Sequence, residues 1–507
     1  MNKLYTLLLS VAIGVSATAQ TPCVDGFADG YPCNEVTLMS HLTIDDLGGA
    51  SGLNDIWGWT DFEFCKEYAL VGKENGTAFV DITDPMNPCY IGTLPTHTSS
   101  STWRDIKVYN DYAFIVSEAN GHGMQVFDLT RLREVPDAPI TFDADAHFDG
   151  FGDSHNIALN PETGYAYPIG TDDFSGGPHF INIQDPLNPT QEGGYEGSGY
   201  SHDAQIITYY GPDEEHVGKE IFLGLNGGGG MVIVDITNKS DPELLSSTSY
   251  ENLVYTHQGW FTRDHDYVLV NDEIDEGTFD YNTRTRVFDV SDLDNPVEKP
   301  FFSSAITSTD HNHYVKGDYV FQSNYTGGLR ILDITDIAND NISEVAYFDV
   351  HPGDNQNGYS GTWSNYPYFS SGNVVVTHRQ TGLYVVRPTD DDIIAATDDV
   401  YTYTCDGEIG GGNSNTTLCS IVDGLNEYSG VDYTVYPNPA QNSLSITAVD
   451  GFETIALFDV SGKVVLFEQM ASVTTLLTLD VSVLSEGIYT LRVNGVAGNA
   501  QLISISK

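Results

Sequence analysis

The sequence predicts an all-β protein: a seven-bladed β-propeller closed by an N-terminal strand, then a linker and a small Ig-like β-sandwich. Three observations carry this. A short β-branched run, ended by Asp and turn residues, recurs along the chain. A pair of alternating strands precedes each copy. A half-repeat near the N-terminus fits the half missing from the end of the array.

The clearest copy is Met231-Val232-Ile233-Val234-Asp235-Ile236-Thr237, followed by Asn238-Lys239-Ser240-Asp241-Pro242. Its apolar run suits a buried strand, and the polar cluster with Pro242 ends that strand and starts another. Close copies lie at 79–85, 286–292 and 330–336, looser ones at 126–130 and 180–186, and a seventh without Asp at 383–388. Ahead of them, hairpins turn at Asn110-Asp111 and at Lys316-Gly317-Asp318. Each repeat thus supplies four strands over about 45–55 residues, the period of propeller blades. Alignment puts one large ring near the start of each first strand: Trp57, Trp103, His155, His202, His257, His311 and Trp363. The last repeat lacks a fourth strand after Pro388, and residues 35–42 resemble one. Pairing the two is expected to complete the seventh blade and leave no open edge.

Residues 1–19 read as a secretory signal: Met1-Asn2-Lys3, an apolar run from Leu4 to Val15, then Ala17-Thr18-Ala19, with cleavage after Ala19. That run is too short for a transmembrane helix, and no other stretch is long enough. The propeller is expected over 20–388, an acidic and Gly-rich linker over 389–432, and the sandwich over 433–507, with strands at 443–446, 455–459, 463–466 and 488–493. The net charge of −52 excludes a nucleic-acid partner and disfavours anionic lipid. It gives solubility by self-repulsion, and it leaves divalent-cation binding open. Six cysteines in an exported chain point to disulfides, and local pairing would join Cys23–Cys33, Cys65–Cys89 and Cys405–Cys419.

Two resemblances follow from particular residues. Tyr436-Pro437-Asn438-Pro439-Ala440, Leu457-Phe458-Asp459-Val460-Ser461-Gly462-Lys463, Leu484-Ser485-Glu486-Gly487-Ile488-Tyr489 and the terminal Lys507 resemble the C-terminal sorting domain of type IX secretion substrates. That resemblance implies the type IX machinery as a partner, removal of this domain, and release from, or attachment to, the outer surface of a Gram-negative cell. Residues from about 22 to 388 resemble the choice-of-anchor B family with its LVIVD repeats. The carrying residues are Cys23-Val24-Asp25-Gly26-Phe27-Ala28, Asp153-Ser154-His155-Asn156, and Asn271-Asp272-Glu273-Ile274-Asp275-Glu276 ahead of Thr285–Val290. The family implies a fold and a surface location, and no reaction.

In a propeller the loops entering each first strand and those joining second to third strands share one face. Loops on a rigid scaffold are where function concentrates. Ligand contacts are therefore expected from Trp57, Trp103, Arg104, Trp363, Glu118, His122, Glu273, His378 and Arg379. His155, His202, His257 and His311 read in two ways. They could hold a transition metal, with Glu118 or Glu273 assisting. They could instead pack between blades, the reading that the exchange of Trp and His in one column favours. Asp143, Asp145, Asp149 and Asp153 crowd one loop and are candidates for Ca²⁺, with spacing short of an EF-hand. The Asp of each repeat, at 81, 128, 235, 289 and 333, is expected to cap its turn. No Gly-x-Ser-x-Gly elbow stands between a strand and a helix. Together these features predict an exported surface module that binds a glycan, peptide or protein. The alternative is a metal-dependent hydrolase or lyase using the His-lined mouth.

Overall fold

The computed structural model describes residues 20–397 and, in the C-terminal unit, 433–436, 440–458, 464–482, 484–485, 487–493 and 501–505. The signal segment, most of the linker, and Cys405 and Cys419 lie outside the described residues. The described chain is all-β apart from short helical turns.

Successive segments build antiparallel sheets whose strands follow chain order. The first sheet runs Leu53–Asp61, Lys66–Lys73, Gly76–Asp81 and Cys89–Pro95. The first strands of the later sheets are Arg104–Tyr109, Asn156–Asn160, Asp203–Thr208, Thr256–Phe261, His313–Lys316 and Thr362–Tyr366. Each of these strands touches the next, and the last touches that of the first sheet. The third strands carry the β-branched runs, and Met231–Asp235 is buried at every position but its final Asp. Sheets stacked on both sides bury both faces, so such a strand reads as a continuous apolar run. Phe79 stacks on Phe127 of the next sheet at 4.6 Å, and Phe142 meets it edge-on. The repeat Asp ends each run as a cap. Asp81, Asp235, Asp289 and Asp333 accept the backbone N–H two residues on at 2.8–3.1 Å.

The N-terminal segment does more than the sequence suggests. Val36–Leu42 pairs antiparallel with Gly382–Pro388, with Leu42 opposite Leu383. Before it, the hairpin Phe27–Ala28 and Tyr31–Asn34 adds to the outer strand Asn341–Phe348 of the sixth sheet. The Cys23–Cys33 disulfide closes that hairpin. One short segment therefore ties two neighbouring sheets together. The second sheet also departs from the repeat. Its fourth strand is only Ala146–Phe148, and Ile140–Thr141 lies parallel on the outer strand of the first sheet.

Cys65 carries a free thiol, so the expected Cys65–Cys89 bridge does not form. Cys65 sits in the hairpin turn before Lys66, while Cys89 opens the strand two places away in the same sheet. Two strand spacings already come to about 9–10 Å, beyond disulfide reach. In the C-terminal unit the strands expected at 443–446 and 455–459 run on as one, Ser443–Phe458, with register shifts between Thr447 and Phe452. Leu444, Ile446, Leu457, Leu491 and Ile503 form a core of their own.

Removing residues 20–45 strips the outer strand from the seventh sheet and the hairpin from the sixth. The truncated chain is expected to aggregate, as light scattering would show. Replacing Cys23 and Cys33 by Ser is expected to cost roughly 2–3 kcal/mol through the loss of a short loop closure, read by chemical denaturation.

Candidate functional site

The rings at the entrance to successive first strands line one mouth. Along it the ring centroids step from Trp103 to His155 (6.5 Å), His202 (4.2 Å), His257 (4.2 Å), His311 (4.5 Å) and Trp363 (4.9 Å). Backbone bonds pin the arc. His155 and His202 donate their N–H groups to Ile169 and Leu225, each extending a sheet ladder by one residue. Together with Arg104, Asn156 and Asn312, the rings of the arc line a small open pocket.

Three of the four imidazoles are held by Nδ1. His202 Nδ1–H donates to the carbonyl of His257 at 3.1 Å, and His311 Nδ1–H to that of Trp363 at 2.5 Å. His155 Nδ1–H donates to Glu118 Oε1 at 2.5 Å. His257 Nδ1 is buried without a partner. Among the described residues no protein hydrogen bond reaches Nε2 of any of the four. Glu273 faces two of them, with Oε2 3.9 Å from His257 Nε2 and Oε1 4.0 Å from His311 Nε2. Its Oε1 also accepts the hydroxyl of Tyr325 at 2.8 Å. Burial pushes Glu273 up to about 7 and holds His202, His257 and His311 below the usual range, so these rings are neutral.

Not every expected contact residue reaches this mouth. Trp57 lies deeper: the ladder puts Asn54 at the position that His257 holds in its own strand, and Trp57, three residues on, corresponds to Trp260. It packs edge-on against Tyr314 and Tyr366. His122 is buried behind the rim, accepting from Arg104 Nη1 at 3.1 Å and donating to the carbonyl of Gly123. His378 is buried against His351, and its Nδ1 accepts the N–H groups of Gln380 and Thr381. Arg379 stands at the rim, its guanidinium 5.0 Å from the Trp363 ring. The four aspartates proposed for Ca²⁺ do not converge. Strand Ala146–Phe148 separates Asp143 and Asp145 from Asp149 and Asp153, and Asp145 is paired with Arg131 at 2.7 Å.

Two features escaped the sequence reading. Tyr200, Tyr255 and Tyr325 also edge the mouth, with Tyr255 5.2 Å from His202 and Tyr325 4.6 Å from His311. The repeated Tyr-x-His at 200–202 and 255–257 was the available signal. Elsewhere among the first strands, Lys107 Nζ bonds Asp105 at 2.6 Å, lies 3.7 Å from Asp55, and sits 4.6 Å from the Trp57 ring. Burial and the nearby Asp105 push Asp55 well up, while burial raises Asp203 to about 7.

Two family models match the chain. The LVIVD repeat matches residues 102–122 and 226–249, and the secretion system C-terminal sorting domain matches 434–504. The chain ends in a type IX sorting domain. It is therefore exported by type IX secretion, to the cell surface or the medium, and no helix among its described residues is long and apolar enough to cross a membrane. No curated protein matches the chain. Among solved structures, it is similar to the beta-propeller domain of Cps50 (Swd1) from Myceliophteria thermophila. That match is 12% identical with a TM-score of 0.47, covering 70% of this chain and 99% of the other. It is also similar to PorZ, a bacterial surface component of the type IX secretion system of Porphyromonas gingivalis. There the identity is 14% and the TM-score 0.38, covering 95% of this chain and 59% of the other.

Replacing Lys107 by Met leaves carboxylates buried without their cation. Unfolding free energy is expected to fall by about 3–5 kcal/mol in denaturant titrations, with partial recovery when Asp105 is also changed to Asn. A second expectation concerns pH. Burial, with Arg104 beside it, pushes His122 down to about 4 from its ordinary 6.5. The unfolded chain takes up that proton first, so stability falls as pH drops from 6.5 towards 4. In His122→Gln the slope of unfolding free energy against pH over this window should shrink by about one proton.

Proposed function

We propose that this is an exported seven-bladed propeller, closed by residues 36–42, that binds an extracellular ligand at the mouth of its channel. On this reading residues 20–388 form the propeller, 389–432 the linker, and 433–507 an Ig-like sorting domain removed on export. Cyclic contact among the first strands and the pairing of Val36–Leu42 with Gly382–Pro388 support the ring.

The observation that carries the binding reading is the make-up of the mouth wall. Arg104 lines the cavity with no carboxylate in salt-bridge range among the described residues, and its Nη2 is buried without a partner. A guanidinium that spends Nε on the Lys73 carbonyl and Nη1 on His122, yet has no carboxylate partner, fits a glycan, peptide or protein that presents a carboxylate or other oxyanion. Trp103 stands at the rim, 43% exposed, free to stack on such a ligand. The second reading is a hydrolase or lyase. The Glu118–His155 pair favours it, since a carboxylate-backed imidazole is a common proton-transfer unit.

A panel of acidic glycans and peptides with free C-terminal carboxylates tests the first reading against neutral counterparts. The acidic members are expected to bind, and Trp103→Ala to weaken them by about tenfold in titration calorimetry. Equal affinity for neutral ligands, or an unaffected variant, would overturn it. Export makes a separate expectation: intact mass of the secreted form should lack residues 1–19 and the sorting domain beyond about 433.

A further inference from the structure

We propose that the mouth holds one divalent transition-metal ion, bound by Nε2 of His257 and His311 and by the Glu273 carboxylate, with His202 and His155 completing the imidazole arc around it. This rests on the reading of the mouth as the functional site and gives that site its chemistry.

The distances carry the first part of the argument. One ligand atom from each of His257, Glu273 and His311 lies within 4.8 Å of the others, with the carboxylate 3.9–4.0 Å from the two Nε2 atoms. Those gaps are too long for hydrogen bonds. Two ligands about 2.0–2.2 Å from one tetrahedral ion stand roughly 3.4 Å apart, so the carboxylate gaps must close by about half an ångström to seat a metal, and no pair in the set by more than about 1.4 Å.

The outer contacts carry the second part. A metal-bound His usually donates its other ring N–H to a carbonyl or carboxylate, which fixes the tautomer and aims the free nitrogen at the ion. His311 and His202 do this with the carbonyls of Trp363 and His257, and His155 with Glu118. Tyr325 holds Glu273 in the same manner. Interblade packing accounts for the rings. With a bond to the next sheet's backbone it also accounts for the tied-back Nδ1 of His202 and His311. It does not account for Nε2 of all four being left without a protein partner among the described residues. Nor does it explain a carboxylate, Oε2 of which takes no protein hydrogen bond among the described residues, standing between two imidazole edges.

The donor set selects the metal. Neutral imidazoles with one carboxylate suit Zn²⁺, Fe²⁺, Cu²⁺ or Ni²⁺ and disfavour Ca²⁺ and Mg²⁺, which require oxygen ligands. The ion's remaining positions open towards the cavity that Arg104 lines, so a ligand oxyanion would meet the metal and the guanidinium together.

The test uses untagged full-length protein, stripped with a chelator and titrated with Zn²⁺, Co²⁺ and Ca²⁺. The expected result is one equivalent of Zn²⁺ or Co²⁺, a visible Co²⁺ spectrum typical of nitrogen ligation, and no competition from Ca²⁺. Glu273→Gln and His257→Gln should each weaken uptake by about a hundredfold or more, and Tyr325→Phe by about tenfold. Thermal unfolding checks that each variant is folded; if His257→Gln is not, Glu273→Gln carries the test alone. No stoichiometric uptake, or undiminished uptake by folded Glu273→Gln, overturns the proposal. Binding of the acidic ligand panel by stripped protein is read separately. Ligand binding by protein that takes up no metal would leave the binding module standing and the metal centre refuted.

Discussion

The cation of Lys107 is the interaction on which the centre of this protein depends. First strands from neighbouring sheets meet there and bring Asp55, Asp105 and Asp203 towards one ammonium. Removing such charges from water costs several kcal/mol each, and only close opposite charge or a bound proton offsets it. Lys107 serves Asp105 directly. Burial pushes Asp55 and Asp203 up, which favours their protonated forms over two further buried charges. Trp57 closes the cluster as an aromatic face under the ammonium. The residue that the repeat alignment assigned to the rim thus helps to balance charge in the interior.

Most of the fold was legible because its signals are local. The β-branched run, its closing Asp and the turn after it are set by neighbours two to five residues apart, and the structure keeps those bonds at Asp81, Asp235, Asp289 and Asp333. The pairing of 36–42 with the last strand was legible for a different reason: a strand and its missing partner have matching patterns. Register along a strand has no such local signature: Asn54 holds the rim position in the first strand, and Trp57 falls three residues past it. Cys65 and Cys89 looked close in sequence, yet they lie across the width of a sheet. Asp105 stands two residues before Lys107 on the same strand, but nothing local announces Asp55 and Asp203, which come from other sheets.

Trp and His exchange along the column of rings, the pattern expected of rings packed between sheets. Trp103 and Trp363 end the arc, one at the rim and one under Arg379. Between them, His202 and His311 turn Nδ1 to a carbonyl of the next sheet, as such packing predicts, and His155 turns its Nδ1 to a carboxylate. Exchange at the two ends is compatible with a fixed role in the middle.

The mouth also belongs to the ring and to no single sheet. Loops between second and third strands reach over the next sheet's first strand: Gly227 bridges to Thr256 and Tyr325 to Thr362. Asn271 donates across to the carbonyl of His311, and the N–H of Glu273 to that of Tyr255. Gly227 sits at φ 54°, and a Cβ there would come within 2.9 Å of the Tyr255 ring, so the loop that passes closest to its neighbour needs glycine. Sheets along the arc therefore supply a ring and also hold the strand that carries the next one. The position of any imidazole is set from two sides, which allows donor atoms from separate repeats to be held at fixed spacing. The full sequence carries a net charge of −52, and such self-repulsion keeps copies of the chain apart.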